Sequence, residues 1–208
     1  MTSPPHLHFL AGASGDPSFW ETVAHHLQSH HPDYTLQAYP AFAGHPNPQN
    51  IQNFDQLCCW VVDQIQQPSI VIAQSMGGIF AIQAALQKPH LIKALVLCAT
   101  SGGLALTPFQ VKDWRQDYQQ LLPEVPDWFI QTHIDLSPEF HRINIPVLLL
   151  WGDADEISPV TIAEYLQQQL PHAELKIIPS GQHDFAKIHA DIVASHIQNF
   201  LIKHIDDV

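Results

Sequence analysis

Ser75, a trio of acids and His183 stand where side chains of their types could carry out acyl transfer. Ser75 lies in SIVIAQSMGGIFAIQ (69–83), an apolar, β-branched run that turns directly into an amphipathic helical pattern. That context, strand then tight turn then helix, is what a nucleophile elbow requires. The serine is held in a strained backbone conformation, and bulky side chains two residues away on either side would collide with the chain. Ala73 and Gly77 are small enough, and Gly78 permits close packing of the helix. The turn sets the Ser75 hydroxyl at a helix N-terminus, where unpaired N–H groups and the macrodipole favour negative charge. Taken alone, the pentapeptide is equally well read as a turn chosen only for tightness. Two further pieces shift the balance. WGDADEISP (151–159) presents Asp153, Asp155 and Glu156 between Gly152 and Pro159, and PSGQHDFAK (179–187) presents His183, each directly after an apolar run. Serine, acid, histidine is the chain order expected of a triad mounted on a parallel sheet. A serine hydroxyl is a weak nucleophile at neutral pH, so His183 would take its proton during attack on a carbonyl and return it to the leaving group. The acid would hold the imidazole in the correct tautomer.

Positioning these groups takes a sheet. Six short apolar runs read as strands, at 6–10, 34–39, 69–73, 94–98, 146–151 and 174–178, and most are continuously apolar, the pattern of a sheet covered on both faces. Between them, 18–31, 51–66, 77–88, 160–170 and 187–205 carry apolar residues at helical spacing. Strand alternating with helix predicts βαβ units and a doubly wound, mostly parallel α/β domain. Seventeen prolines keep every element short, which excludes coiled coils and helical arrays. Residues 101–145 break the rhythm. They contain no strand candidate, yet they are far too long for an ordinary α/β connection and too aromatic for a linker. They are expected to form a cap of two or three short helices over the C-terminal edge of the sheet, inserted into a core made of 1–100 and 146–208. If its aromatics stand above Ser75 they would line an apolar acyl pocket, with Trp114, Tyr118, Trp128 and Phe129 as substrate-contact candidates. Otherwise they simply cover the cap's own underside.

Charge excludes some partners and suggests one. Eight Lys and Arg face 20 Asp and Glu, for a formal net charge of −12. Such a chain is poorly equipped for nucleic acid or anionic membrane surfaces. No apolar run approaches the length of a membrane span, and MTSPPHLHFLAG has neither the basic nor the apolar part of a signal peptide, so a cytoplasmic address is expected. Cys58, Cys59 and Cys98 match neither a disulfide framework nor a zinc spacing and are expected to be buried, reduced thiols. His26 and His30 are four apart, but without an HExxH pattern or a carboxylate partner they read as a solvated helix end, so no metal is expected. Asp16 reads as an N-cap with Pro17 close behind it, and Trp20 as core. Both arginines, Arg115 and Arg142, fall in the 101–145 segment. They could orient an anionic substrate group, because a guanidinium pairs bidentately with a carboxylate. Pairing with Asp113, Asp117 or Glu139 is the plainer expectation.

From HFLAGASG through AQSMGG and LVLCATSGG to WGDADEISP and GQH, nearly the whole chain resembles the α/β-hydrolase superfamily. The resemblance implies a minimal α/β-hydrolase fold, whose six strands correspond to the third to eighth of the family and whose first two antiparallel strands are missing. It places the Gly-x-Ser-x-Gly motif on Ala73 to Gly77, with alanine first and Ser75 as nucleophile. The Gly-x-x-Asp-x-x-x-Pro motif falls on Gly152, Asp155 and Pro159, which favours Asp155 as the acid, and the base falls on His183. The oxyanion loop falls on Ala11-Gly12-Ala13, with Ala11 where the family has histidine. The implied oxyanion donors are the backbone N–H groups of Ala13 and Met76. Gln74 stands where histidine is common.

The activity so implied is cleavage of a small or medium carboxylic ester, or a thioester, through an acyl-enzyme, with no cofactor and a small-molecule substrate, by a monomer or weak dimer. One alternative resembles the biotin-pathway esterase that cleaves a carrier-protein-linked pimeloyl methyl ester. A second is a lyase-type member similar to the menaquinone-pathway synthase, in which the triad serves as a base. The third is a non-catalytic α/β binding module.

Overall fold

The computed structural model describes residues 4–109, 111 and 126–206. Six strands, β1 (His6–Leu10), β2 (Tyr34–Gln37), β3 (Ser69–Gln74), β4 (Ile92–Cys98), β5 (Val147–Gly152) and β6 (Ala173–Ile178), form one sheet in the order β2-β1-β3-β4-β5-β6. Every neighbouring pair is parallel. This is the minimal α/β-hydrolase arrangement that the resemblance implies. The strand order reverses between β1 and β3, so the loops leaving their C-terminal ends diverge and open a crevice, the usual ligand site of open α/β sheets.

The apolar runs are continuous because the sheet has a core on each side. In β3, Val71 and Ala73 face one core while Ile70 and Ile72 face the other; in β4, Leu95 and Leu97 oppose Ala94, Val96 and Cys98. This is the period-two alternation of a strand buried on both faces. Helices α2 (Phe54–Asp63), α3 (Gly77–Gln87) and α5 (Val160–Gln169) cover the first side, through residues such as Leu57, Phe80 and Leu166. On the other side lie α1 (Glu21–Leu27), α6 (Phe185–Ile188) and α7 (Ala190–Leu201), with Trp20, Val23, Phe185 and Ile197 buried.

Ends are where the observed elements depart from the expected ones. Helix α1 is preceded by a 3-10 turn, Pro17–Trp20, capped by Asp16, whose Oδ1 accepts from the Ser18 N–H at 2.9 Å. The helix stops at Leu27, leaving His30 exposed beyond it. Asn53 caps α2 by accepting from the Gln56 N–H at 2.9 Å, so that helix begins three residues later than its apolar pattern does. The last helix is two, because His189 sits at φ −108, ψ 44, outside helical geometry. Cys58 and Cys98 are buried and unbridged, but Cys59 is exposed, since neighbours on a helix point about 100° apart. Burial pushes the Cys58 thiol up to about 12.

One buried imidazole makes the fold acid-sensitive. His8, 3% exposed in β1, shares a hydrogen bond with Gln37 of β2. Burial pulls its pKa down from 6.5 to about 4. The unfolded chain therefore binds a proton below about pH 6.5 that the native state refuses until about pH 4, and stability falls as pH drops through that window. The expected loss is about 3 kcal/mol by pH 4. Urea unfolding at pH 7 and pH 4.5 should show it, and His8→Asn should flatten the difference.

Candidate active site

Ser75 sits at φ 53, in the left-handed region, between the end of β3 and the start of α3. A non-glycine residue pays roughly 1–2 kcal/mol there and stays only when its surroundings hold it. The Ser75 carbonyl accepts from the Gly78 N–H at 3.0 Å and from the buried Thr100 hydroxyl after β4. Its N–H donates to the Cys98 carbonyl at 3.0 Å. Gly77 must lack a side chain because a Cβ would lie 2.6 Å from both the Leu10 and Ala11 carbonyl oxygens, at the end of β1. Thr100 is absent from the sequence expectation. The signal available for it was ATSGG directly after β4, a small polar residue beside the elbow's own strand.

The loop after β1 is anchored from below. Trp20 Nε1 donates to the Leu10 carbonyl at 3.0 Å and the buried Tyr39 hydroxyl donates to the Ala11 carbonyl at 2.8 Å. Gly12 then passes so close to the elbow that a Cβ on it would lie 3.1 Å from Ser75 Cβ. Ala13 follows, half-buried against the apolar cluster that contains Met76, Phe42, Leu104 and Phe129. Met76 occupies the N-cap position of α3, at the end of the helix where backbone N–H groups have no intrahelical acceptor.

The three acids of 151–159 part ways in space. Asp155 is buried, and its Oδ1 accepts from the Ile157 and Ser158 N–H groups at 2.9 Å each. Its Oδ2 lies 2.9 Å from His183 Nδ1. Asp153 is exposed and accepts from the Ser180 N–H at 2.6 Å, while Glu156 is exposed. Trp151 Nε1 donates to the Ser158 carbonyl at 2.6 Å, closing the acid loop on its own strand. His183 Nε2 lies 3.1 Å from Ser75 Oγ. A carboxylate only accepts, so the neutral imidazole carries its proton on Nδ1, and Nε2 accepts from the serine hydroxyl. Asp155, His183 and Ser75 thus form one hydrogen-bonded line from three separate loops.

The acid and histidine loops touch through glycines. A Cβ on Gly152 would lie 2.1 Å from the Gly181 carbonyl oxygen, and Ala154 N–H donates to that same oxygen at 3.0 Å. Backbone cannot yield as a side chain can, so Gly152→Ala is expected to cost about 3 kcal/mol of stability. Gly44→Ala, at φ 73 with nothing within 4 Å, should cost only about 1 kcal/mol. Paired urea melts of the two variants check the contrast.

Within 101–145 the described helical elements are short, Thr107–Phe109, α4 (Asp127–Gln131) and Ser137–Arg142, joined to irregular chain. Phe129 is buried against Phe42, with ring centroids 5.6 Å apart, and Trp128 meets Phe42 at 6.1 Å. Arg142 pairs with Glu139 on the same exposed turn. Trp114, Arg115 and Tyr118 lie outside the described residues. Among the described residues, no three or more His, Cys, Asp or Glu side chains gather as a metal site. No helix among them is long and apolar enough to cross a membrane.

An all-parallel sheet with a serine turn, an acid loop and a histidine loop at its C-terminal edge defines an α/β-hydrolase arrangement, and sequence comparison agrees. A profile for the alpha/beta hydrolase fold matches residues 5–138 and 130–189, and the chain belongs to that family. Curated relatives include the uncharacterized hydrolase YugF of Bacillus subtilis, 24% identical across 72% of this chain and 71% of the relative. The pimeloyl-[acyl-carrier protein] methyl ester esterase of Aliivibrio fischeri is 22% identical across 95% of this chain and 94% of the relative. Among solved structures, a lipase-esterase related protein from Clostridium acetobutylicum superposes with a TM-score of 0.79 at 21% identity, covering 96% of this chain and 95% of that one. That likeness is one of fold.

Proposed function

We propose that the protein is a serine hydrolase that cleaves a carboxylic ester or thioester of a small or medium acyl group through an acyl-enzyme. The observation that carries this reading is the line from Asp155 through His183 to Ser75, with its 2.9 and 3.1 Å contacts. In it, His183 Nε2 takes the hydroxyl proton as Ser75 Oγ attacks the carbonyl carbon. The N–H groups of Met76 and Ala13 receive the oxyanion, a donor pair whose loss costs about 3 kcal/mol per donor in such sites. His183 then protonates the departing alcohol or thiol, and water deacylates Ser75 by the same steps in reverse. The described residues of 101–145 serve as the cap, with Trp128 and Phe129 on the acyl side. Phe42 and Phe129, which join Met76 in one apolar cluster, support an apolar acyl group.

A carrier-linked pimeloyl methyl ester is the second reading of the substrate, favoured by relatives of that name that align over nearly the whole chain. A fluorophosphonate probe tests the chemistry. Labelling at Ser75 is the expected result, and folded protein that resists the probe would leave a binding module instead. Labelling without turnover of any p-nitrophenyl ester from acetyl to dodecanoyl would favour the lyase alternative. Faster release of methanol from pimeloyl methyl ester on a carrier protein than from the free ester would select the second substrate.

A further inference from the structure

Gln74 ends β3 with only 5% of its surface exposed, an unusual place for a carboxamide unless its polar atoms are engaged. Its Nε2 donates to the backbone carbonyl of His183 at 3.1 Å. Its Oε1 lies against Gly12, where a Cβ would come within 2.2 Å of it. A single side chain next to Ser75 therefore spans from the histidine loop to the loop after β1. The histidine loop is tied on its acid side by Ser180 N–H to Asp153 and by Ala154 N–H to the Gly181 carbonyl. Gln74 ties it from the serine side.

We infer that Gln74 is a positioning residue that sets the His183 imidazole against Ser75 Oγ and holds the Gly12–Ala13 loop in register with both. The inference rests on the hydrolase reading for its kinetic consequence, but the tie itself can be tested without turnover. Gln74→Met keeps the length of the side chain and removes its polar atoms. It should lower kcat on p-nitrophenyl butyrate about tenfold, the worth of one hydrogen bond, with KM changed by less than about twofold. Hydrogen–deuterium exchange should quicken in peptides covering 11–15 and 180–185, while β3 and β4 stay protected. Gln74→Glu adds a readout that a merely structural role would not move. An ionised carboxylate cannot donate to the His183 carbonyl, whereas a protonated one can. The ratio of kcat for the Glu variant to that for the Met variant should therefore rise about threefold or more between pH 8 and pH 5.5, since the ratio cancels effects common to both variants.

A Met variant with lowered melting temperature and unchanged kcat would overturn the inference, as would a flat Glu-to-Met ratio. If wild-type protein resists the fluorophosphonate, the hydrolase reading fails by itself. Exchange then decides Gln74: quickening in both loops supports the tie, and its absence refutes it. Should the Met variant not fold, Gln74→Glu compared with wild type in the same exchange experiment at pH 8 decides the question by the same two outcomes.

Discussion

Ser75→Ala is expected to lower ester turnover about 10⁵-fold or more and to abolish fluorophosphonate labelling, while the thermal midpoint stays within about 2 °C of wild type. The two halves of this result have different causes. Turnover is lost because the hydroxyl that His183 Nε2 faces at 3.1 Å is the atom that would become acylated. Stability is kept because alanine carries the same Cβ at φ 53 and so bears the same backbone cost. Ser75→Gly separates the two effects. It should be as inactive as the alanine variant, yet more stable by about 0.5–1 kcal/mol, because glycine occupies the left-handed region without a steric penalty. An alanine variant with wild-type turnover would remove Ser75 from the chemistry. A glycine variant less stable than alanine would mean that the surrounding bonds from Thr100 and Gly78 do not hold a strained turn.

Much of this was legible in the sequence for reasons that can be stated residue by residue. Val71 and Ala73 against Ile70 and Ile72 make a continuous apolar run because both faces of β3 are buried, and such runs are read without knowing which residue faces which core. Ser75, the 151–159 acids and His183 stood out because each directly follows a strand, and parallel strands bring all such loops to one edge. Among the acids, residue type alone did not separate Asp153 from Asp155; the Gly-x-x-Asp-x-x-x-Pro resemblance favoured Asp155, and it is the loop's path that turns Asp155 in to meet His183 and Asp153 out to cap Ser180. Tyr39 and Gln74 were not legible as site-shaping residues, since their partners are distant in sequence. Gln74 meets His183 across 109 positions, and neither composition nor periodicity encodes that contact. The Asp16 cap was legible, because Asp-Pro stands directly ahead of the first helical pattern; the start of α2 shifted at Asn53, where a single local hydrogen bond outweighs the apolar pattern.

Asp155→Asn is expected to lower kcat/KM about 10⁴-fold with little change in KM, and the reason lies in how the two carboxylate oxygens are used. Oδ1 accepts from the Ile157 and Ser158 N–H groups at 2.9 Å each, and Oδ2 accepts from His183 Nδ1 at 2.9 Å. An asparagine has one oxygen to offer. Placing it toward the two backbone donors satisfies more bonds than placing it toward the imidazole, so the amide nitrogen turns to His183. Two donors cannot face each other, and His183 must move its proton from Nδ1 to Nε2. Nε2–H would then donate to Ser75 Oγ instead of accepting from it, which leaves no base for the hydroxyl proton. The geometry would survive while the chemistry stopped. Asp155→Ala makes a useful contrast, because it leaves the Ile157 and Ser158 N–H groups without their acceptor and should cost stability as well, on the order of 2 kcal/mol. The tautomer is directly observable: ¹⁵N chemical shifts of the His183 ring should report a protonated Nδ1 in wild type and a protonated Nε2 in Asp155→Asn. An asparagine variant that keeps its Nδ1 proton together with wild-type turnover would show that the acid loop serves the fold and not the reaction.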